Sequence, residues 1–404
     1  MALDIHEIYQ DLHRNPELSF QEERTSDFIA RTLGDLGYVV HTGIGRTGVV
    51  GFLENGEGPT VLLRADMDGL PVDEQTGLPY ASTARGIDPE GRDVPVMHAC
   101  GHDVHVTCLL GAAEELMETR SEWAGSLILV FQPAEELGEG ARAMVDDGLY
   151  EKVPAPDVVL GQHVAPLPAG MIGLRPGDAM AASDSLNIKL FGEGGHGSRP
   201  EAAVDPVLLA AAVVMRLQGV VSREVASTDA AVVTVGQIHS GTKNNIIPEF
   251  ATLGLSIRTY DPVVRERVLA AIERIARAEA QASGSPREPE FIYDTSLPLT
   301  HNDPDASART ATALRAVVGE MGVMDPGPIA GSEDVSHLAT AAGCPLVFWF
   351  LGGAEPSLIE RIRETGKLPD DIPSNHSPFY APVMDPTLHL GVDAMVAAAR
   401  EWLG

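Results

Sequence analysis

Residues 127–136, with the sequence LILVFQPAEE, join a short apolar run to two adjacent carboxylates across a Gln-Pro-Ala turn. The run consists of β-branched and large apolar side chains, which is typical of a buried strand. Similar runs lie at Val49–Leu53, Val61–Ala65 and Val158–Leu160, and a helical stretch from Val104 to Met117 precedes residues 127–136. Strands that alternate with helices predict an α/β domain.

Polar side chains follow several of these runs. Asp66 and Asp68 come after one strand, Glu135 and Glu136 after the next, and His163 ends another. Sheets of this kind bind ligands beyond the carboxyl ends of their strands. The sequence therefore predicts a functional site at that edge of the sheet.

The types of these residues indicate metal binding. Cys100 and His102 stand together in Cys-Gly-His, and His376 lies in the loop at residues 373–378, PSNHSP. Structural zinc sites usually take four ligands from local pairs of Cys and His, whereas these candidates are spread over almost the whole chain. That distribution favours a catalytic two-metal centre and a metallohydrolase. Cys108 and Cys344 lie inside apolar runs and are interpreted as core residues.

Two further features concern helices. Ser19-Phe20-Gln21-Glu22 has the pattern of a capping box and predicts a helix that begins there, with Phe28 and Ile29 on its apolar stripe. His13 and His105 have helical settings, and we interpret both as structural.

A second pattern begins near residue 183. It consists of six elements: a strand at Leu186–Phe191, a helix at Pro206–Val221, strands at Val232–Ile238 and Ala251–Thr259, a helix at Arg265–Ala282 and a strand at Glu290–Tyr293. This β-α-β-β-α-β order is that of a ferredoxin-like domain. The prediction is an α/β protein of two domains: a catalytic domain with a central sheet, formed by residues 1–182 and 298–404, and an inserted ferredoxin-like domain at residues 183–297. The crossings near residues 183 and 297 are short, which favours a hinge.

Composition excludes several classes of partner. A formal net charge of −30 argues against nucleic acid and against anionic membranes. The longest apolar stretches, such as Pro345–Leu351, are too short to cross a bilayer. The first residues lack the pattern of a secretory signal. Three cysteines suit a reducing compartment. We expect a cytoplasmic protein that acts on a small molecule.

Five motifs carry a resemblance to a known family. They are LHRNPEL at 12–18, RADMDGLP at 64–71, HACGHD at 98–103, QPAEE at 132–136 and NHSP at 375–378. Together they resemble the M20 metallopeptidase superfamily, and within it subfamily D, the amidohydrolase branch. That branch includes N-acyl-amino-acid amidohydrolases, hippurate hydrolases and auxin-conjugate hydrolases. The motifs recur in order over essentially the full length of the chain.

The resemblance implies two divalent metal ions per chain. Cys100 would bridge the ions, Glu136 and His376 would complete one site, and His102 and His163 would complete the other. Zinc is the expected metal, with manganese or cobalt as alternatives.

The resemblance also implies roles in catalysis and substrate binding. Glu135 resembles the general base, and Asp68 resembles the carboxylate that orients a ligand imidazole. In the inserted domain, which resembles the family's lid and dimerisation domain, His196 resembles the residue that stabilises the oxyanion. Asn245 and Arg258 resemble the pair that binds the substrate carboxylate.

The predicted reaction is hydrolysis of an N-acyl-L-amino acid to a carboxylate and a free amino acid, with Glu135 as the base for a metal-activated water. A dipeptidase or an N-carbamoyl-amino-acid hydrolase on the same scaffold is the alternative. A metal-dependent binding protein without catalysis would have no need of Glu135. We expect a homodimer or a higher homo-oligomer that forms through the inserted domain.

Overall fold

The computed structural model describes residues 2–365, 369 and 371–403. Its helices are α1 (Ile5–Arg14), α2 (Glu23–Leu36), α3 (His102–Glu118), α4 (Gly140–Asp146), α5 (Leu149–Lys152), α6 (Pro206–Glu224), α7 (Pro262–Ala282), α8 (Pro304–Val318), α9 (Ser336–Ala342), α10 (Leu358–Thr365) and α11 (Thr387–Leu403). Its strands are β1 (Val39–Ile44), β2 (Gly48–Asn55), β3 (Thr60–Asp66), β4 (Arg85–Ile87), β5 (Asp93–Pro95), β6 (Gly125–Gln132), β7 (Val158–Pro168), β8 (Ile172–Leu174), β9 (Gly177–Met180), β10 (Ala182–Phe191), β11 (Gly195–His196), β12 (Ala231–Ser240), β13 (Ile246–Ile247), β14 (Phe250–Thr259), β15 (Glu290–Leu297), β16 (Thr300–Asn302), β17 (Val323–Met324) and β18 (Leu346–Ala354).

The chain forms two compact units. The larger comprises residues 1–179, 301–328 and 334–404, and the smaller comprises residues 180–300 and 329–333. The segment 329–333 therefore groups with the smaller unit, whereas the sequence interpretation placed it in the catalytic domain. The reason is backbone pairing, because the N–H of Ala181 donates to the carbonyl oxygens of Ile329 at 3.1 Å and Gly331 at 3.0 Å.

The larger unit contains a mixed sheet of eight strands in the order β1-β2-β6-β3-β7-β18-β8-β17. The pairs β6/β3, β3/β7 and β7/β18 are parallel. The edge pair β1/β2 and its junction with β6 are antiparallel. The predicted α/β class with a central sheet is confirmed. Because the four middle strands run parallel, their carboxyl ends lie along one edge of the sheet.

The core explains why these segments form strands. In β3 and β6 nearly every side chain is buried, and helices α3 and α11 pack against the sheet. Strand β18, which contains Trp349, is buried along almost its whole length. Parallel strands covered on both faces have continuous apolar sequences of this kind. The apolar run at Pro345–Leu351 is therefore part of a central strand of the sheet.

The smaller unit contains an antiparallel sheet in the order β12-β14-β10-β15. Helices α6 and α7 pack against each other and on this sheet, and their buried side chains form its separate core. This is the predicted β-α-β-β-α-β arrangement. Helix α6 is also, among the described residues, long and apolar enough to cross a membrane by length and composition alone. Its buried side chains, such as Leu209, Val213 and Leu217, belong to the core of the smaller unit.

The predicted capping box at Ser19–Glu22 is wrong. Helix α2 begins at Glu23, and the Glu22 side chain makes no capping hydrogen bond. Instead, the Glu17 carboxylate accepts from the N–H groups of Arg24 at 3.0 Å and Thr25 at 2.8 Å. The side chains of Ser19 and Glu22 are used elsewhere, at the site described next.

Candidate metal centre

The predicted site residues of the larger unit lie at the carboxyl edge of the sheet. Asp66 is the last residue of β3, and Glu135 follows the end of β6. His163 lies inside β7 and not at its tip as predicted. The β3/β7 register pairs Arg64 with Gly161, so two residues further on, His163 stands at the level of Asp66. The longer strand thus still presents His163 where β3 ends.

The structure brings the predicted ligands of the larger unit together. Potential ligand atoms of Cys100, His102 and Glu136 lie within 4.8 Å of one another. The Cys100 Sγ is 3.5 Å from His163 Nε2, and the Glu136 Oε2 is 3.4 Å from His376 Nε2. These residues come from distant parts of the chain, and the fold brings them together.

Two of the imidazoles are oriented with Nε2 toward the cluster. His102 Nδ1 is 3.2 Å from Asp68 Oδ1, and His163 Nδ1 is 2.8 Å from the carbonyl oxygen of Val164. Both Nδ1 atoms therefore donate, which leaves the Nε2 lone pairs for a metal ion.

Helix α3 begins directly at this cluster because of Gly101. Its φ is +86°, a left-handed conformation that favours glycine, and a Cβ there would lie 2.4 Å from a side-chain methyl of Val164. The glycine therefore allows the backbone between Cys100 and His102 to pack closely against β7.

The donor set fits divalent metal ions. His102 Nε2 and Glu136 Oε1 are buried and have no hydrogen-bond partner in the described part of the chain. Burial raises the pKa of the Cys100 thiol, and the neighbouring Glu136 and Glu135 raise that pKa further. A thiol, several carboxylates and an unpartnered imidazole nitrogen, crowded together in a buried space, are the donor groups that a divalent cation binds.

Asp68 connects the ligands to the acidic pair. Its Oδ1 accepts from the N–H of Glu135 at 3.2 Å, and its Oδ2 accepts from the N–H of Glu136 at 3.1 Å. The hydroxyl of Ser19 donates to Oδ2 at 2.7 Å. One buried carboxylate thus orients the His102 ring and holds the backbone of both glutamates.

His105 has the structural role that its helical setting indicated, but its position beside the cluster was not predicted. Its Nδ1 contacts the Asp66 carboxylate, and its Nε2 accepts from the N–H of Val164 at 2.8 Å. Both ring nitrogens are therefore engaged, so His105 holds Asp66 and β7 in place next to His102 and His163. The available signal was its spacing, because residues three apart lie on the same face of a helix.

Asn375 is a second residue that sequence reasoning missed. Its side-chain amide donates to the carbonyl oxygens of Cys100 at 3.0 Å and Val164 at 3.2 Å. In addition, the N–H of His376 donates to the carbonyl of Ala99 at 2.8 Å. These bonds fix the loop that carries His376.

Glu22 supports the turn before the acidic pair. It is fully buried, its Oε1 accepts from the N–H of Ala134 at 2.9 Å, and its Oε2 accepts from the hydroxyl of Thr47 at 2.6 Å. Ala134 has a φ of +49°, a conformation that non-glycine residues rarely adopt. The Glu22 carboxylate therefore stabilises a strained residue directly before Glu135.

We expect Glu22→Leu to lower kcat by roughly tenfold to a hundredfold, because small displacements of a catalytic group have effects of that size. Glu22→Gln keeps an acceptor for Ala134 and is the matched control, with a rate close to wild type. Steady-state kinetics and metal analysis of both variants check this. Equal loss in the two variants, or loss of bound metal in the Leu variant alone, would contradict a positioning role.

The three predicted substrate contacts lie in the smaller unit. His196 ends β11, which pairs with β13, and the N–H of Gly197 donates to the carbonyl of Asn245 at 2.8 Å. His196 and Asn245 are thus neighbours on one small ladder. His196 Nδ1 accepts from the N–H of Ser198 at 3.2 Å, so its Nε2 carries the proton. Arg258 lies on β14.

Comparison with known proteins identifies the family of the chain. The model of peptidase family M20/M25/M40 matches residues 62–373. The chain is 38% identical over 348 residues to the hippurate hydrolase of Campylobacter jejuni, and the aligned region covers 85% of this chain and 87% of that protein. It is 35% identical over 336 residues to the N-acetyl-L-cysteine deacetylase of Bacillus subtilis, covering 82% and 76%.

A solved structure extends the likeness to three dimensions. A Bacillus subtilis protein described as a dinuclear metal-binding peptidase from the M20 family matches with a TM-score of 0.76 and 28% identity, over 99% of this chain and 97% of that chain. The family match includes the segments that carry Cys100, His102, Glu135, Glu136 and His163, and it ends at residue 373, before His376. The chain therefore belongs to peptidase family M20/M25/M40 and is a metallo-amidohydrolase.

Proposed function

We propose that the enzyme hydrolyses N-acyl-L-amino acids to a carboxylate and a free amino acid. The observation that carries this proposal is the position of Glu135, a buried carboxylate whose Oε2 lies 3.8 Å from His102 Nε2 at the rim of the ligand cluster. A carboxylate there has the reach of a general base. Hippurate and N-acetylcysteine, after which the two relatives are named, are both N-acyl amino acids.

The proposed ligands are Cys100 as the bridge, Glu136 with His376 for one ion, and His102 with His163 for the other. When bound, such ions polarise the acyl oxygen of the substrate and lower the pKa of a water. Glu135 takes the proton from the attacking water and delivers it to the nitrogen of the leaving amine. The hydroxyl oxygen of the water ends in the product carboxylate.

Two proposals concern the metal and the compartment. A thiolate with several imidazoles favours zinc, with manganese or cobalt as substitutes. Cys100, Cys108 and Cys344 are free thiols in the structure. Free thiols suit a reducing environment, so we place the enzyme in the cytoplasm.

We assign the remaining contacts to the smaller unit. The Nε2–H of His196 is a suitable donor to the oxyanion that forms on the acyl oxygen. Arg258, oriented by a hydrogen bond from its guanidinium to the hydroxyl of Ser332, offers a planar fork for the substrate carboxylate, with Asn245 as a second donor.

Arg258→Ala tests the substrate class. We expect kcat/KM for N-acyl amino acids to fall about tenfold to a hundredfold, the size of one charge-assisted hydrogen bond. The kcat/KM for the matching α-amides, which carry no negative charge, should fall much less. Both substrate types are measured on both proteins, so general damage to the fold cancels. A variant that prefers the free acid by the wild-type margin would contradict the assignment.

We also propose that the smaller unit binds a second copy of the chain. Strand β12 is an edge strand, and its Val232 and Ile238 are about half exposed. On α6, Leu208 and Met215 are 69% and 74% exposed. Unpaired edges and apolar patches of this kind are usually covered by a partner, most often an identical chain.

Light scattering should give the mass of a dimer or higher oligomer for the wild type. Met215→Glu should shift the measured mass toward that of the monomer. A monomeric wild type would contradict the proposal.

A further inference from the structure

A second group of potential metal ligands lies on the surface of the larger unit. His6 is in the first turn of α1, Asp385 precedes α11, and His389 is in the first turn of α11. Their ligand atoms all lie within 4.8 Å of one another. None of the three belongs to the cluster that contains Cys100.

The separations suit a single ion. His6 Nε2 is 3.1 Å from each carboxylate oxygen of Asp385, and His389 Nε2 is 3.9 Å from Asp385 Oδ1. The two imidazole rings meet edge to face, with centroids 5.5 Å apart. Ligand bonds of about 2.0–2.2 Å to zinc in a tetrahedral arrangement separate the ligand atoms by roughly 3.3–3.6 Å. A small rotation of the His389 side chain brings its Nε2, now 3.9 Å from Asp385 Oδ1, into this range.

The side chains are free to make that adjustment. The exposed fractions of the His6, Asp385 and His389 side chains are 35%, 65% and 63%. A chain with a net charge of −30 also concentrates cations near its surface.

We propose that His6, Asp385 and His389 bind an additional divalent transition-metal ion that fastens α1 to the start of α11. Two imidazoles and one carboxylate favour zinc, nickel or copper, whereas magnesium and calcium prefer oxygen ligands alone. Three protein ligands leave at least one position to water, so the ion exchanges with solution more readily than one in a closed four-ligand site. Because the site is formed only in the folded chain, ion binding stabilises the fold.

The experiment uses the metal-loaded enzyme and Zn²⁺ alone as the probe. Bound zinc is counted by equilibrium dialysis at increasing free Zn²⁺ near neutral pH. We expect the wild type to bind one ion more per chain than a His6→Ala/His389→Ala double variant. His389→Ala should lower the affinity for that ion at least tenfold. Even residues that only hydrogen-bond to metal ligands contribute about 10–100-fold to metal affinity.

The chain offers a matched control. His301 and Asp178 form another exposed His–carboxylate pair, with His301 Nδ1 2.7 Å from Asp178 Oδ1. That pair is not among the groups of three or more ligands found in the described residues. His301→Ala should therefore keep the additional ion.

Thermal unfolding gives an independent readout. Added Zn²⁺ should raise the Tm of the loaded wild type and of His301→Ala, and it should leave the Tm of the double variant unchanged. Hydrolysis rates should be the same in all three proteins. The proposal is overturned if wild type and double variant bind equal numbers of ions, or if His301→Ala loses the ion instead.

Discussion

Glu135→Gln should lower kcat by about 10²–10⁴-fold, the usual contribution of a general base. The amide keeps the shape of the side chain but cannot accept the proton of the attacking water. Glu135 is not among the five proposed ligands, so the metal content should equal that of the wild type. Steady-state kinetics on an N-acyl amino acid, together with metal analysis of the same sample, measures both quantities.

Glu139→Gln is the control for this variant. Glu139 is an exposed carboxylate four residues further along the chain, so its neutralisation removes the same charge near the same turn. Its kcat should stay close to wild type. If Glu135→Gln kept more than roughly a tenth of the wild-type rate, well outside the usual range, Glu135 would not be the base.

Cys100→Ser should release at least one metal ion per chain and lower activity accordingly. The thiol is buried, its Sγ lies 3.5 Å from His163 Nε2, and in the proposed site it would bind metal as a thiolate. A serine hydroxyl does not ionise in this way and is a poorer ligand for zinc. Metal analysis after dialysis gives the count directly.

Cys344→Ser is the matched change at a half-buried thiol outside the cluster. It should keep every ion that the wild type binds. Two ions bound with wild-type affinity in Cys100→Ser would show that another group bridges them.

The hydrogen bonds of Ser19 and Glu22 show why the predicted capping box was wrong. Ser19 and Glu22 have the spacing of a capping box, yet Ser19 donates to Asp68 and Glu22 accepts from Ala134. Ser19 and Asp68 are 49 positions apart in the sequence, and Glu22 and Ala134 are 112 positions apart. A capping signal describes only the nearest turn of the chain, so it does not exclude a stronger bond to a distant buried group.

The sequence by itself determined the features that depend on neighbouring residues along the chain. The apolar runs of β3 and β6 predicted buried strands, and the polar residues directly after them predicted the edge that carries the site. Only the tertiary structure decided which atoms meet: that His163 stands beside Asp66 through the β3/β7 register, and that His105 and Asn375 support the cluster. The physical reason is that periodicity and burial are local properties, whereas strand order and register arise from packing of the whole core.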